Sequence, residues 1–126
     1  MPAVENLQGH RVVASPSAIE AAAFAEGALV FRIAPDDVLV FGDGPIEIPD
    51  EFAIVEPDNG WSALGVTEAQ AEDILARHAS WKAPDDRPIL LQGMVAGLAA
   101  KVYLDGPRSK IIVAAPFAAE LEDRLS

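Results

Sequence analysis

The stretch ILLQGMVAGLAAKVYLDGPRSKIIVAAP, residues 89–116, limits what this chain can fold into more than any other. Its apolar residues come in runs of strand length. Ala96-Gly97 and Asp105-Gly106-Pro107-Arg108 interrupt them with turn chemistry. A chain punctuated in this way must double back twice, so strands are predicted near 89–95, 98–104 and 110–115. Three neighbouring strands of this kind call for an antiparallel sheet, and everything else in the chain has to pack around it.

An earlier segment repeats the logic. In ALVFRIAPDDVLVFG, Leu29, Phe31 and Ile33 alternate with Val30, Arg32 and Ala34, and Pro35-Asp36-Asp37 supplies a turn before a second strand over 38–41. A short strand is expected around Ile46 to Ile48 in an otherwise loop-like GDGPIEIPDE. Two further strand pieces, 52–55 and 61–66, flank the turn residues Glu56-Pro57-Asp58-Asn59-Gly60.

Helices are expected in three places. Over 17–26, Ser15 or Ser17 can cap, Pro16 suits a first turn, Glu20 completes a Ser17/Glu20 capping box and Gly27 stops the helix. Over 68–79, Thr67 and Gln70 form a capping box, and Ala71, Ile74, Leu75 and His78 make one stripe. After Pro116, Phe117, Leu121 and Leu125 share a face, with Glu120 and Arg124 paired outside. The order predicts an α+β fold: an antiparallel sheet with two or three helices packed on one face. Residues 1–14 read as an N-terminal arm with a short strand at 11–14, and residues 15–126 as a single domain.

Composition narrows the function classes. Of 126 residues, 51% are hydrophobic and 23% charged, which is ordinary for a folded domain and wrong for disorder. The formal net charge of −11 disfavours nucleic acid and anionic membrane surfaces, because the cations that would displace counterions are scarce. Lysines stand only at 82, 101 and 110. There is no cysteine, so disulfides and thiolate chemistry are excluded. MPAVENLQGHRVV lacks a basic start followed by an apolar run, so no signal peptide is expected and the chain is expected to be cytoplasmic.

Candidate chemistry is sparse. His10 and His78 stand far apart, without the spacing of a helical metal pair, and His78 reads as a structural residue near a helix C-terminus rather than a ligand. The pairs Asp36-Asp37 and Asp85-Asp86 read as solvated turns, and Glu122-Asp123 as a polar helix face. Gly42-Asp43-Gly44 is followed by Pro45 in an acidic loop, which does not suit phosphate. Gly93 and Gly97 predict a bulge or a close backbone approach. Trp61 and Trp81 bracket the central helix as candidate interface anchors; for Trp81 the alternative of a core edge is equally open, and Trp61 reads rather as core.

The run IVEPDNGWSALGVTEAQAEDILARH resembles a pattern shared by the glycine-cleavage T-protein and the gamma subunit of heterotetrameric sarcosine oxidase. The matching residues are Val55, Gly60, Trp61, Leu64, Val66, Ala71, Ile74 and Leu75. FRIAPDDVLVFG and QGMVAGLAAKVYLDGPRSKIIVAAPFAAELEDRL are similar to other parts of the same families, so the resemblance spans about residues 28–125. It implies a single T-protein-like domain. Where the T-protein carries an aspartate that works on a folate-bound substrate, this chain has Glu56 and then Pro57-Asp58. The gamma subunit resembles the same fold while carrying no flavin or active-site residue, although it is typically longer than this chain.

The resemblance therefore implies a non-catalytic small subunit or accessory protein of an oxidoreductase complex, without a cofactor of its own. Its partners would be larger protein subunits, a flavoprotein among them. One alternative is a small module binding a folate derivative, with Glu56 or Asp58 meeting the pterin ring. Another is a self-associating structural domain. On every one of these readings Asp58-Asn59-Gly60 turns the chain, 61–66 forms a strand and Thr67 caps a helix.

Overall fold

The computed structural model describes residues 4–126. In chain order its strands are β1 (Val4–Leu7), β2 (Gly9–Val13), β3 (Ala23–Phe24), β4 (Leu29–Ala34), β5 (Asp37–Phe41), β6 (Ile46–Glu47), β7 (Ile54–Pro57), β8 (Trp61–Gly65), β9 (Ile89–Val95), β10 (Leu98–Leu104) and β11 (Lys110–Ala114). The helices are α1 (Pro16–Glu20), α2 (Glu68–His78) and α3 (Ala118–Leu125). This is a mixed α+β protein with mostly antiparallel sheets. The described residues divide into two compact units, one of residues 4–6 with 60–126 and one of residues 7–59.

The larger unit holds the five-stranded sheet, in the order β1-β8-β11-β10-β9. Ala96 and Gly97 both take positive φ, 51° and 78°, the two-residue turn whose twist matches the strands it joins. That turn sets the β9–β10 register, with Val102 opposite Leu91, and β10 in turn places Val102 opposite Ile111. One face of the sheet then presents Leu64, Leu91, Val102 and Ile111 as a row, and Ala71 and Leu75 of α2 and Leu121 of α3 join the same core. The capping box forms as expected: Gln70 N–H donates to Thr67 Oγ1 at 3.2 Å and Thr67 N–H donates to Gln70 Oε1 at 2.9 Å. Arg77 and His78 lie in the last turn, where the helix dipole favours cationic groups.

The smaller unit holds a four-stranded sheet, β4-β5-β2-β7, and a two-stranded pair, β3-β6. Its core is thinner. Val12, Val38 and Val40 pack with Ala18 and Ile19 of α1, and Phe24 and Ile46 close the cluster. Strand β5 is buried along its whole length, as a near-continuous apolar run requires. The Phe31 and Phe41 rings meet edge to face at 5.5 Å.

Several expectations are corrected. The expected arm is not a loose one where it is described: residues 1–3 lie outside the described residues, but 4–7 and 9–13 form β1 and β2, and β2 lies inside the four-stranded sheet between β5 and β7. The helix expected over 17–26 is a single turn, because Ser15 rather than Ser17 caps it and Ala23 and Phe24 leave to pair with Glu47 and Ile46. Glu20 faces Arg32 at 3.6 Å rather than closing a capping box. The strand expected over 52–55 starts later, at Ile54, because Asp50 holds residues 50–53 in a turn. Phe117 lies in a 3₁₀ turn, Ala115–Phe117, and is exposed rather than sharing the buried stripe of Leu121. Among the described residues the sheets number three rather than one.

Candidate functional site

The exposure of strand β7 contradicts its apolar composition. All four of its residues are exposed, at the edge of the four-stranded sheet. Ile54 is 53% exposed, Val55 45%, and Phe52 in the turn before it 82%. Alternation sends Ile54 and Val55 to opposite faces, so neither face of this edge is covered. Isolated exposed apolar residues are common, but three large ones within four positions leave apolar surface on both sides of one edge.

The turn that presents Phe52 is built locally. Asp50 Oδ1 accepts the Phe52 N–H at 2.9 Å, Asp50 Oδ2 accepts the Ser15 N–H at 3.0 Å, and the Asp50 carbonyl accepts the Ala53 N–H at 3.1 Å. These donors, from Ser15 first and then Phe52, hold the Asp50 carboxyl below its ordinary range. The phenyl ring is thus held outward by a hydrogen-bonded turn.

Register decides what the edge offers. Asp58 N–H donates to the Gly9 carbonyl at 2.8 Å, and Pro57 stands opposite His10. Alternation of the antiparallel ladder then turns the backbone groups of Val55 and Pro57 outward. Pro57 has no N–H, so this edge is blunted against strand addition. Recognition here falls to side chains.

The candidate folate residues lie on this same edge. Glu56 stands opposite Arg11 across the β2–β7 ladder, and Asp58 follows at the strand end. Arg11 reaches the other way, its Nε donating to both Asp37 carboxylate oxygens at 3.0 and 3.1 Å and its terminal nitrogen pairing with Oδ2. Its pKa is raised, first by the hydrogen bond to Asp37, then by that residue's charge, with smaller contributions from Asp58 and Glu56. The guanidinium is therefore committed to Asp37, and Glu56 and Asp58 act on it only through space. Asp37 corrects the reading of Asp36-Asp37 as a solvated turn: Asp37 is buried and ion-paired, and Asp36 alone is exposed.

The two tryptophans occupy different settings in the larger unit. Trp81 packs against the core; its indole Nε1 donates to the Met94 carbonyl at 3.0 Å, and its ring lies on Gly93, where a Cβ would come within 2.7 Å of the indole nitrogen. The predicted close backbone approach at Gly93 is this one. Trp61 carries the Lys101 ammonium 4.4 Å from its ring centre. It lines a largely apolar groove of about 670 Å³ with Met94, Ala99, Lys101, Ala114 and Phe117. A second cleft, of about 520 Å³, lies past the end of α2 between Leu75, Trp81, Lys82, Asp85 and Arg87.

His78 sits half-buried at the end of α2 and His10 on β2, so the two histidines lie in different units. Among the described residues no group of three or more His, Asp or Glu side chains is placed to hold a metal ion. No helix among them is long and apolar enough to cross a membrane. Sequence reasoning missed Arg11, Phe52 and Ile54. The signal available was the run DEFAIVEPD, in which acids and proline bracket the apolar residues, a pattern that marks protected sheet edges. No family model, no curated protein and no solved structure matches the chain.

Proposed function

We propose that this chain is an accessory subunit that docks on a larger protein through the edge at residues 50–58 and carries no chemistry of its own. The observation that supports the reading is β7, an edge strand exposed on both faces and preceded by an outward phenylalanine. The finer expectations from sequence join the proposal: a T-protein-like domain, a role like that of the sarcosine oxidase gamma subunit, a flavoprotein partner and a cytoplasmic setting. The folate alternative would place the pterin against Glu56 and Asp58, on an open edge whose neighbouring cation, Arg11, is held by Asp37. That setting favours docking.

Co-expression with flavoprotein subunits of the sarcosine oxidase type, drawn from the native host, tests the reading. A complex of fixed stoichiometry is expected on gel filtration, and Phe52→Ala is expected to dissociate it. A chain that stays alone in that experiment, and gives calorimetric heat with a tetrahydrofolate derivative, would sink the docking reading in favour of folate.

A further inference from the structure

The two units differ in formal charge. Residues 7–59 hold ten carboxylates against two arginines, a formal charge of −8. Both arginines are already engaged, Arg11 with Asp37 and Arg32 with Glu20. The other unit sets ten carboxylates against seven lysines and arginines, a charge of −3. Most of the chain's uncompensated negative charge therefore lies in the unit that carries the exposed edge, and four of its carboxylates, Asp50, Glu51, Glu56 and Asp58, fall within residues 50–58. Along 50–58 the order is acid, acid, Phe52, Ala53, Ile54, Val55, acid, proline, acid.

We infer that residues 50–58 receive a cationic, apolar segment of a partner protein, with lysines or arginines disposed around one or two large aliphatic anchors. The inference rests on the docking reading and gives it a chemistry. Apolar anchors would cover Phe52, Ile54 and Val55, which supply the area, while Asp50, Glu51, Glu56 and Asp58 meet the flanking cations and fix orientation. A second copy of this chain is disfavoured as occupant, because it would set the same four carboxylates of residues 50–58 against one another. An acidic partner or a nucleic acid is disfavoured by the same repulsion. Because Pro57 blunts the backbone ladder, the segment binds by side chains and need not be extended.

Three short soluble peptides test this: lysines with two leucines, the same with serines for the leucines, and the same with glutamates for the lysines. Fluorescence anisotropy is expected to show saturable, salt-sensitive binding of the first alone, with the serine peptide at least about ten-fold weaker. Phe52→Ala and the pair Glu51→Lys with Glu56→Lys are each expected to weaken it about ten-fold or more. The pair Asp85→Lys with Asp86→Lys makes the same change in net charge on exposed positions of the other unit and is expected to leave binding unchanged. Equal weakening by both pairs would mean bulk charge attraction and overturn the inference, as would a serine peptide that binds as well as the leucine one. Light scattering that finds a dimer lost on Phe52→Ala would assign the edge to a second copy instead. If the co-expressed complex is lost on Phe52→Ala yet ignores both salt and the lysine pair at 51 and 56, docking stands and the cationic partner falls.

Discussion

The two units are built from the same kinds of strand, yet they solve different problems. In the larger one, β9, β10 and β11 turn aliphatic side chains onto the core that α2 and α3 also join, and that core runs through Val95, Val102, Leu104, Ile111 and Leu121 with almost no exposure. In the smaller, a single-turn helix and a two-residue strand pair cover one face of the sheet, and β7 is left bare. Charge follows the same division, −3 against −8. The lesson is that apolar content does not distinguish scaffold from surface. Ile54 and Val55 are as hydrophobic as Ile111 and Val113; position at an edge makes them available.

The sharpest way to break that contrast is truncation in each core. Leu104→Ala is expected to cost about 2–5 kcal/mol, read as a lowered urea midpoint, since the side chain is fully buried. Ile19→Ala in the smaller unit is expected at the low end of that range, about 2 kcal/mol, because its thinner surroundings can collapse into the space. Equal losses would show that the two cores are alike in depth and remove the comparison's basis.

A backbone test comes next. A Cβ at Gly9 would lie 2.0 Å from the Val40 carbonyl oxygen, so Gly9→Ala must push β2 away from β5. A loss of about 1–3 kcal/mol is expected from the forced shift, with faster amide exchange in β2, β5 and β7 and slow exchange preserved in β10 and β11. Uniform loss of protection would mean that the two units unfold as one. In the larger unit Thr67→Ala should cost about 0.5–2 kcal/mol by removing the side-chain half of the capping box.

Two smaller effects sharpen the account of the edge. Asp50 has its folded pKa lowered by the Ser15 and Phe52 N–H donors, so its contribution is present above the unfolded carboxyl value and lost as pH falls through the folded one. Asp50→Asn is therefore expected to flatten the stability profile below about pH 4 and leave the neutral plateau's slope unchanged. An acid limb identical to that of the parent chain would contradict the turn as described. Phe52→Ala is expected to change stability by no more than about 0.5 kcal/mol, as its ring is open to solvent. A larger loss would mean that the ring belongs to the core and not to a docking edge.

Much of the larger unit was readable in advance. The boundaries of β9, β10 and β11 fall within a residue of those expected from turn chemistry, and α2 starts at the residue after Thr67. Each rests on interactions within a few positions: a two-residue turn, a cap, a stripe of i, i+3, i+4. The smaller unit was read less well. A tract of alanines looked helical over 17–26, but its second half is claimed by a strand pair with residues more than twenty positions away. Arg11 gave no local hint of Asp37, its partner across the β2–β5 ladder and 26 residues distant.

The sequence by itself determined the α+β class, the C-terminal meander, the β4–β5 hairpin and the capped central helix, because short-range sterics and hydrogen bonds specify them. It also determined the acidity and the absence of thiols. Only the tertiary structure decided that residues 4–13 enter the sheets, that the strands divide among three sheets, and that Phe52, Ile54 and Val55 face solvent. Exposure is a property of who stands beside a strand, and that neighbour is chosen by packing over long separations, which no local pattern of residues records.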